Sequence, residues 1–237
     1  MKRYIPDFIT SMNIACGAVG VIFAFNGRID LAFLFMLAAA VFDFFDGFAA
    51  RALDAYSDLG KELDSLADDI SFGVLPSVML YTVCRNAFFA ENWFCFVPLL
   101  IAVFSGIRLA KFNVDERQHS SFLGLPTPAC AMICGSLAYF VAHCPTSAPA
   151  LWFTSPVFII ALTIVLCALL VCELPMFSFK FSREDSKSLI SKRIAFGACC
   201  LVCLAFAFIF SFNWSLVVLL SLTAYVLLNT VFAILKV

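Results

Sequence analysis

The sequence predicts an all-α, polytopic integral membrane protein, a bundle of about eight transmembrane helices. Three observations predict this class: the composition, the length of the apolar runs and the distribution of basic residues. Of the 237 residues, 63% are hydrophobic and 13% are charged, and the mean hydropathy is +1.02. A soluble domain of this size needs more polar surface than such a composition supplies. The net charge of −1 lacks the basic excess typical of nucleic-acid binding, so we expect no nucleic-acid partner.

The apolar residues fall into runs of about 20 residues, the length that an α-helix needs to cross the hydrocarbon core. Turn-forming and polar stretches separate them, for example NGRID after the first run and HCPTSAP after the fifth. No linker or change of composition divides the chain, so we expect one membrane domain over residues 1–237. The predicted spans are residues 7–26, 31–51, 62–83, 93–112, 127–143, 150–172, 194–212 and 214–235.

Basic residues indicate the orientation, because cytoplasmic loops are enriched in Lys and Arg. With the N-terminus in the cytoplasm, only Arg28 and Arg85 lie in the outer loops, and thirteen of the fifteen basic residues lie toward the inner side. We therefore expect a cytoplasmic N-terminus. The inner set is Lys2, Arg3, Arg51, Lys61, Arg108, Lys111, Arg117, Lys180, Arg183, Lys187, Lys192, Arg193 and Lys236.

Acidic residues are concentrated in one short segment at that inner face, Asp43–Asp69. The segment holds eight of the sixteen acidic residues and lies between two apolar runs. Helical spacing places two groups of its residues on one face each, one group before and one after the predicted turn. The groups are Asp43, Asp46, Gly47, Ala50 and Arg51, and Gly60, Asp64 and Asp68.

Ionised aspartates near a bilayer are costly, about 2.5–3.5 kcal/mol each on insertion scales, so four of them need a counter-charge. Two antiparallel helices would direct Asp43, Asp46, Asp64 and Asp68 into a common space. Oxygen ligands without a nearby His or Cys favour Mg²⁺ or Mn²⁺, and four carboxylates exceed what one Mg²⁺ usually recruits. The pattern therefore predicts two divalent cations, an arrangement suited to displacement at phosphorus.

Other residues of the same faces fit a phosphorylated ligand. Gly47 and Ala50 leave room for a flat or bulky group, and the bidentate guanidinium of Arg51 suits a phosphate oxygen. The alternative is that the acidic residues pair with Arg51 and Lys61 and cap helix ends.

The complete motif is Asp43-x2-Asp46-Gly47-x2-Ala50-Arg51-x8-Gly60-x3-Asp64-x3-Asp68. It is identified as the signature of the CDP-alcohol phosphatidyltransferases, which move a substituted phosphate from a CDP-linked lipid or alcohol to a hydroxyl group and release CMP. The resemblance implies a dinuclear metal site formed by the four aspartates, with Asp68 also as general base. It further implies a homodimer, as the family tends to form.

The resemblance also implies a pocket for CDP, and we expect Thr10 and Asn13 of the first helix to line it. A packed helix interface explains those two polar residues equally well. The residues implied in the signature region are Gly47, Ala50, Arg51, Ser57 and Gly60.

Segments outside the signature resemble the bacterial, membrane-embedded type of phosphatidylserine synthase. They are YIPDFITSMNIACG, ELDSLADDISFGVLPS, GIRLAKFNV and GLPTPACA, and the chain departs from this type at Asp7, where Asn is usual. The resemblance implies a catalytic core in residues 1–140, with the signature at 43–68, and additional transmembrane helices in 150–237. It implies CDP-diacylglycerol and L-serine as substrates, in the bacterial inner membrane, with the active site facing the cytoplasm.

A serine acceptor presents a carboxylate, an ammonium and a hydroxyl group. Arg108, at the end of a membrane helix, is expected to bind the carboxylate, although snorkelling to the surface explains its position equally well. Lys111 and Asn113 follow on nearby turns. Asp69 or Ser71 is expected to meet the ammonium group.

Two alternatives remain at the level of the sequence. In the first, the acceptor of this chain is glycerol 3-phosphate or an inositol compound, which would call for more basic residues near the site than Arg108 and Lys111. A divalent-cation transporter also uses intramembrane carboxylates, but near the midplane of the bilayer.

Overall fold

The computed structural model describes residues 4–88, 92–114, 122–176, 196–204 and 213–235. These residues form nine helices and one antiparallel pair of two-residue strands, β1 (Phe122–Leu123) and β2 (Pro175–Met176). The helices are α1 (Tyr4–Phe25), α2 (Ile29–Leu53), α3 (Asp58–Phe88), α4 (Trp93–Val114), α5 (Thr127–His143), α6 (Ala148–Phe153), α7 (Pro156–Val171), α8 (residues 196–204) and α9 (Trp214–Leu235).

Five of the described helices, α1 to α4 and α9, are long and apolar enough to cross a membrane, and α5 and α7 are shorter apolar helices. This confirms the prediction of an all-α polytopic membrane protein. The predicted span 194–212 lies partly outside the described residues. The predicted span 150–172 is divided between α6 and α7, because Pro156 begins a new helix whose first turn is capped by Ser155, which accepts a 3.4 Å hydrogen bond from the Phe158 amide.

The first three helices pack closely. α1 and α2 form a hairpin whose turn contains Gly27 at φ 77°, a left-handed conformation that glycine adopts without a steric penalty. α1 lies against α3, where a Cβ on Gly20 would be only 2.7 Å from Leu75 Cδ2. Fully buried side chains from α2, α3 and α5 form the core next to this contact. They include Phe33, Met36, Phe72, Leu75, Met79 and Leu137.

Helix α3 contains a π-helical stretch, Asp69–Val74, which begins directly after Asp68. Such stretches insert an extra residue into an α-helix and occur frequently at functional sites. Here the stretch rotates the buried face of α3, so that Ser71, Phe72 and Gly73 are buried. The helix that carries the second acidic face therefore continues into the core with a changed register.

The β1–β2 pair closes the end of the bundle at which α4 and α7 terminate. Gly124, with φ 76°, follows β1, and its amide donates a 2.9 Å hydrogen bond to the Leu174 carbonyl. The Leu125 amide donates a 2.8 Å hydrogen bond to the carbonyl of Leu169 near the end of α7. The second bond satisfies a carbonyl in the last turn of α7 that the helix itself would leave without a partner.

Candidate active site

A tight connection between α2 and α3 places the two acidic faces opposite each other. α2 ends at Leu53, and Asp54 takes a left-handed conformation with φ 49°. Ser57 then begins α3, accepting a 2.9 Å hydrogen bond from the Gly60 amide in an N-cap. The short turn and the cap reverse the chain between the two groups of aspartates.

Three of the four signature aspartates form a compact group. Asp43 of α2 and Asp64 and Asp68 of α3 offer carboxylate oxygens that all lie within 4.8 Å of one another. Among the described residues, Asp64 Oδ1 and Asp68 Oδ1 are buried without a hydrogen-bond partner. Three half-buried carboxylates at this separation repel one another unless a cation binds them, and their oxygens suit a hard divalent cation. We call this group the carboxylate triad.

The fourth aspartate, Asp46, lies beside the triad but outside the group within 4.8 Å. A separation of three residues from Asp43 amounts to 300° around an α-helix, so the two side chains diverge by about 60°. Asp46 is 6% exposed, and its Oδ2 has no hydrogen-bond partner among the described residues. It faces the neighbouring cavity instead, which Asp64 also lines.

That cavity has a volume of about 230 Å³ and lies between α1, α2 and the start of α3. We call it the α1–α3 cavity. Six of the seven residues predicted to bind CDP line it. They are Thr10, Gly47, Ala50, Arg51, Ser57 and Gly60.

The seventh residue, Asn13, is not among the residues that line the cavity. Its side chain is fully buried, and neither of its polar atoms has a hydrogen-bond partner among the described residues. Its backbone carbonyl accepts a 3.1 Å hydrogen bond from Ser71 Oγ. Asn13 thus lies at the packed interface between α1 and α3.

Sequence reasoning missed three polar residues of the α1–α3 cavity, Asp7, Tyr56 and Lys61. Lys61 Nζ donates a 3.1 Å hydrogen bond to the Asn113 carbonyl, which holds the amine between α3 and α4. The position of Lys61 next to Gly60 was the available signal. Lys61 and Arg51 are the two basic residues among those that line the cavity.

The alternative in which the acidic residues pair with Arg51 and Lys61 has no support among the described residues. The two ion pairs found there are Arg28–Asp30 and Lys111–Glu173, and both lie outside Asp43–Asp69.

Comparison with known proteins identifies the family. The family model described as CDP-alcohol phosphatidyltransferase matches residues 3–172. The chain belongs to this family.

Relatives of this phosphatidyltransferase chain carry names that specify the acceptor. CDP-diacylglycerol–serine O-phosphatidyltransferase of Bacillus subtilis (strain 168) is 38% identical over 130 residues, which cover 55% of this chain and 72% of the relative. The protein of the same name from Mycobacterium bovis is 38% identical over 137 residues, covering 55% of this chain and 47% of the relative. Archaetidylserine synthase of Methanothermobacter thermautotrophicus is 33% identical over 135 residues, covering 56% of each.

Arg108, predicted to bind the serine carboxylate in this phosphatidyltransferase, is 7% exposed and does not snorkel to the surface. One of its terminal nitrogens donates a hydrogen bond to Thr127 Oγ1, and its Nε has no partner among the described residues. Its guanidinium interacts electrostatically with Asp68. Gly106, two residues before Arg108, lies against Asp69, the residue that follows Asp68 in the chain.

The other predicted acceptor residues lie around this point in different environments. The Asp69 carboxylate lies against Gly106, where a Cβ would be 3.5 Å from its Oδ2. Asn113 Nδ2 donates a 2.8 Å hydrogen bond to Ser65 Oγ, and Ser71 bonds to α1 as described above. Lys111 shares a small cavity with Arg108.

Proposed function

We propose that this chain is a CDP-diacylglycerol–serine O-phosphatidyltransferase. It transfers the phosphatidyl group of CDP-diacylglycerol to the hydroxyl group of L-serine and releases phosphatidylserine and CMP. The observation that carries this proposal is the carboxylate triad beside a cavity that contains two basic residues, Arg51 and Lys61, at the end of two membrane-length helices. The names of the relatives support serine as the acceptor.

The α1–α3 cavity would hold the CDP group. Arg51 and Lys61 supply positive charge for the diphosphate, and the guanidinium of Arg51 suits bidentate contact with phosphate oxygens. Gly60 keeps the cavity open, because a Cβ there would be 3.0 Å from both Asp7 Oδ1 and Ser57 Oγ. The acyl chains would remain in the membrane, because α2 and α3, which carry the triad, are long and apolar enough to cross it.

The residues present fit two divalent cations, Mg²⁺ or Mn²⁺. Asp43, Asp64 and Asp68 would hold them, and Asp46 would complete the ligand set from its position beside the triad. When bound, such cations neutralise the charge of the diphosphate and stabilise the attacking and leaving oxygens.

Asp68 is proposed as the general base. Its carboxylate would accept the proton of the serine hydroxyl as the serine oxygen attacks the β-phosphorus of CDP-diacylglycerol. The bond between that phosphorus and the oxygen of CMP breaks, and CMP leaves with the electron pair. Arg108, whose guanidinium interacts electrostatically with Asp68, would hold the serine carboxylate so that the hydroxyl reaches the base. Lys111, Asn113, Asp69 and Ser71 are the further candidates around the acceptor.

The acceptor is tested by supplying L-serine, glycerol 3-phosphate and myo-inositol separately to purified enzyme with CDP-diacylglycerol and Mn²⁺, and measuring CMP release. We expect release with L-serine. Release with only another acceptor would reassign the enzyme within its family. No release with any acceptor, together with Mn²⁺ uptake into proteoliposomes, would favour the transporter.

We also propose that the enzyme is a homodimer of the bacterial inner membrane whose active site faces the cytoplasm. The bias of basic residues toward one side supports this orientation. Serine and CDP-diacylglycerol supplied from outside to sealed vesicles should be consumed by inside-out vesicles and not by right-side-out vesicles. Light scattering coupled to size exclusion in detergent measures the oligomeric state.

A further inference from the structure

A second, small cavity lies at the end of the bundle closed by the β1–β2 pair. Arg108 and Lys111 of α4 line it together with Leu123 of β1 and Glu173, which follows α7. Arg108 is 7% exposed, and its Nε has no hydrogen-bond partner among the described residues. A buried guanidinium with an unsatisfied donor at a cavity is a site for an anionic group.

The Lys111–Glu173 ion pair covers this cavity. Lys111 Nζ lies 3.5 Å from Glu173 Oε1, and the two side chains are 46% and 57% exposed. The cavity itself measures about 10 Å³, which is close to the space of one water molecule. An amino acid enters only when the pair separates, and exposed ion pairs of this kind contribute little to stability. Separation therefore costs little.

We propose that Glu173 binds the ammonium group of the amino-acid acceptor, and that the acceptor replaces the Lys111–Glu173 ion pair. This inference rests on the proposed function. The charges around the cavity are complementary to a zwitterion, since two cations, Arg108 and Lys111, face its carboxylate and one anion faces its ammonium. Arg108, which lines this cavity, is also the residue proposed to hold the serine carboxylate.

The other two candidates lie elsewhere, because neither Asp69 nor Ser71 lines this cavity. The Asp69 carboxylate lies against Gly73 and Gly106. The Ser71 hydroxyl donates its hydrogen bond to the Asn13 carbonyl. Glu173 is more exposed and already faces an amine, that of Lys111.

The test is the kinetics of Glu173→Gln with CDP-diacylglycerol and L-serine. Loss of one charge-assisted hydrogen bond should raise the KM for serine about tenfold, while kcat and the KM for CDP-diacylglycerol stay within about twofold. Glu62→Gln is the matched control, because Glu62 is exposed on α3 and lines neither of the two cavities. It should leave all three constants unchanged.

A purely structural ion pair is distinguished by the double variant Lys111→Glu/Glu173→Lys, which restores the pair with reversed charges. The inference predicts that the KM for serine stays raised, because the ammonium and carboxylate ligands are exchanged. Recovery of the wild-type KM in the double variant, or an unchanged KM in Glu173→Gln, would overturn the inference and leave the proposed function standing. A wild-type enzyme that releases no CMP with serine would overturn the proposed function itself.

Discussion

The Ser71 hydroxyl donates a 3.1 Å hydrogen bond to the backbone carbonyl of Asn13, 58 residues earlier in the chain. This bond joins the π-helical stretch of α3 to α1. One turn further along α1, Gly17 permits the same close approach, because a Cβ there would collide with Ser71 Oγ. α1 and α3 both line the α1–α3 cavity, so we expect the separation of these two helices to affect its width.

Gly17→Val should therefore destabilise the protein and impair binding of the CDP-lipid. The added side chain overlaps Ser71 and Ile70 and forces α1 away from α3, and overpacking of this kind costs about 1–3 kcal/mol. We expect a lower unfolding temperature in detergent and a raised KM for CDP-diacylglycerol.

The matched control is Gly197→Val, since nothing described lies within 4 Å of a Cβ at that position. It should leave the KM for CDP-diacylglycerol unchanged. Equal effects of the two substitutions would contradict the assigned role of the α1–α3 contact.

Asp68→Asn should lower kcat by about 10²–10⁴-fold, because the amide does not accept the hydroxyl proton. Binding of the CDP-lipid should largely survive, since Arg51, Lys61 and Gly60 of the α1–α3 cavity remain. Turnover is measured by CMP release and binding by competition with labelled CDP. If turnover and CDP-lipid binding are lost together, Asp68 acts mainly through binding and not as the base. The control is Asp58→Asn, a substitution at an exposed position.

Chelation should stop the reaction, and Mg²⁺ or Mn²⁺ should restore it. Asp64→Asn removes one member of the triad, so the cation concentration for half-maximal activity should rise by at least the roughly 10–100-fold typical of lost supporting ligands. Asp46→Asn should also raise it, because its buried Oδ2 has no partner among the described residues. Full activity after dialysis against EDTA would rule out the metal site.

Arg108→Ala should raise the KM for serine by about 10–100-fold, and the KM for CDP-diacylglycerol much less. Thr127→Val should raise the KM for serine less, because Thr127 holds the guanidinium only from one side. Arg28→Ala, an exposed arginine paired with Asp30 in the turn between α1 and α2, serves as the control. An unchanged KM for serine in Arg108→Ala would exclude the arginine from the acceptor site.

Features that depend on local spacing were predictable from the sequence. The helical periodicity of Asp43, Asp64 and Asp68 indicated that they share a space, and the structure places their carboxylates within 4.8 Å of one another. Lengths of the apolar runs predicted the membrane helices. Pro156, by contrast, breaks a span that hydropathy alone treats as continuous.

Features that depend on the packing of distant segments were not predictable in this way. No local pattern relates Glu173 to Lys111, which lies 62 residues earlier and meets it where the β1–β2 pair brings the ends of α4 and α7 together. The sequence suggests Lys61 only as an ion-pair partner of the acidic residues, whereas in the structure its amine donates a hydrogen bond to the Asn113 carbonyl. The π-helical stretch after Asp68 also has no signal in hydropathy.

The sequence by itself determined three features: that this chain lies in a membrane, which aspartates face each other, and to which family the chemistry belongs. These features were predictable because hydropathy and helical periodicity depend on residues within one or two turns of each other in the chain. Only the tertiary structure decided that Asp46 turns toward the cavity, that Arg108 is buried, and that Glu173 meets Lys111 at a cavity that Arg108 also lines. Those relationships depend on how closely the helices approach each other. Small residues such as Gly17 and the π-helical stretch of α3 determine that distance, through contacts between residues that are far apart in the chain.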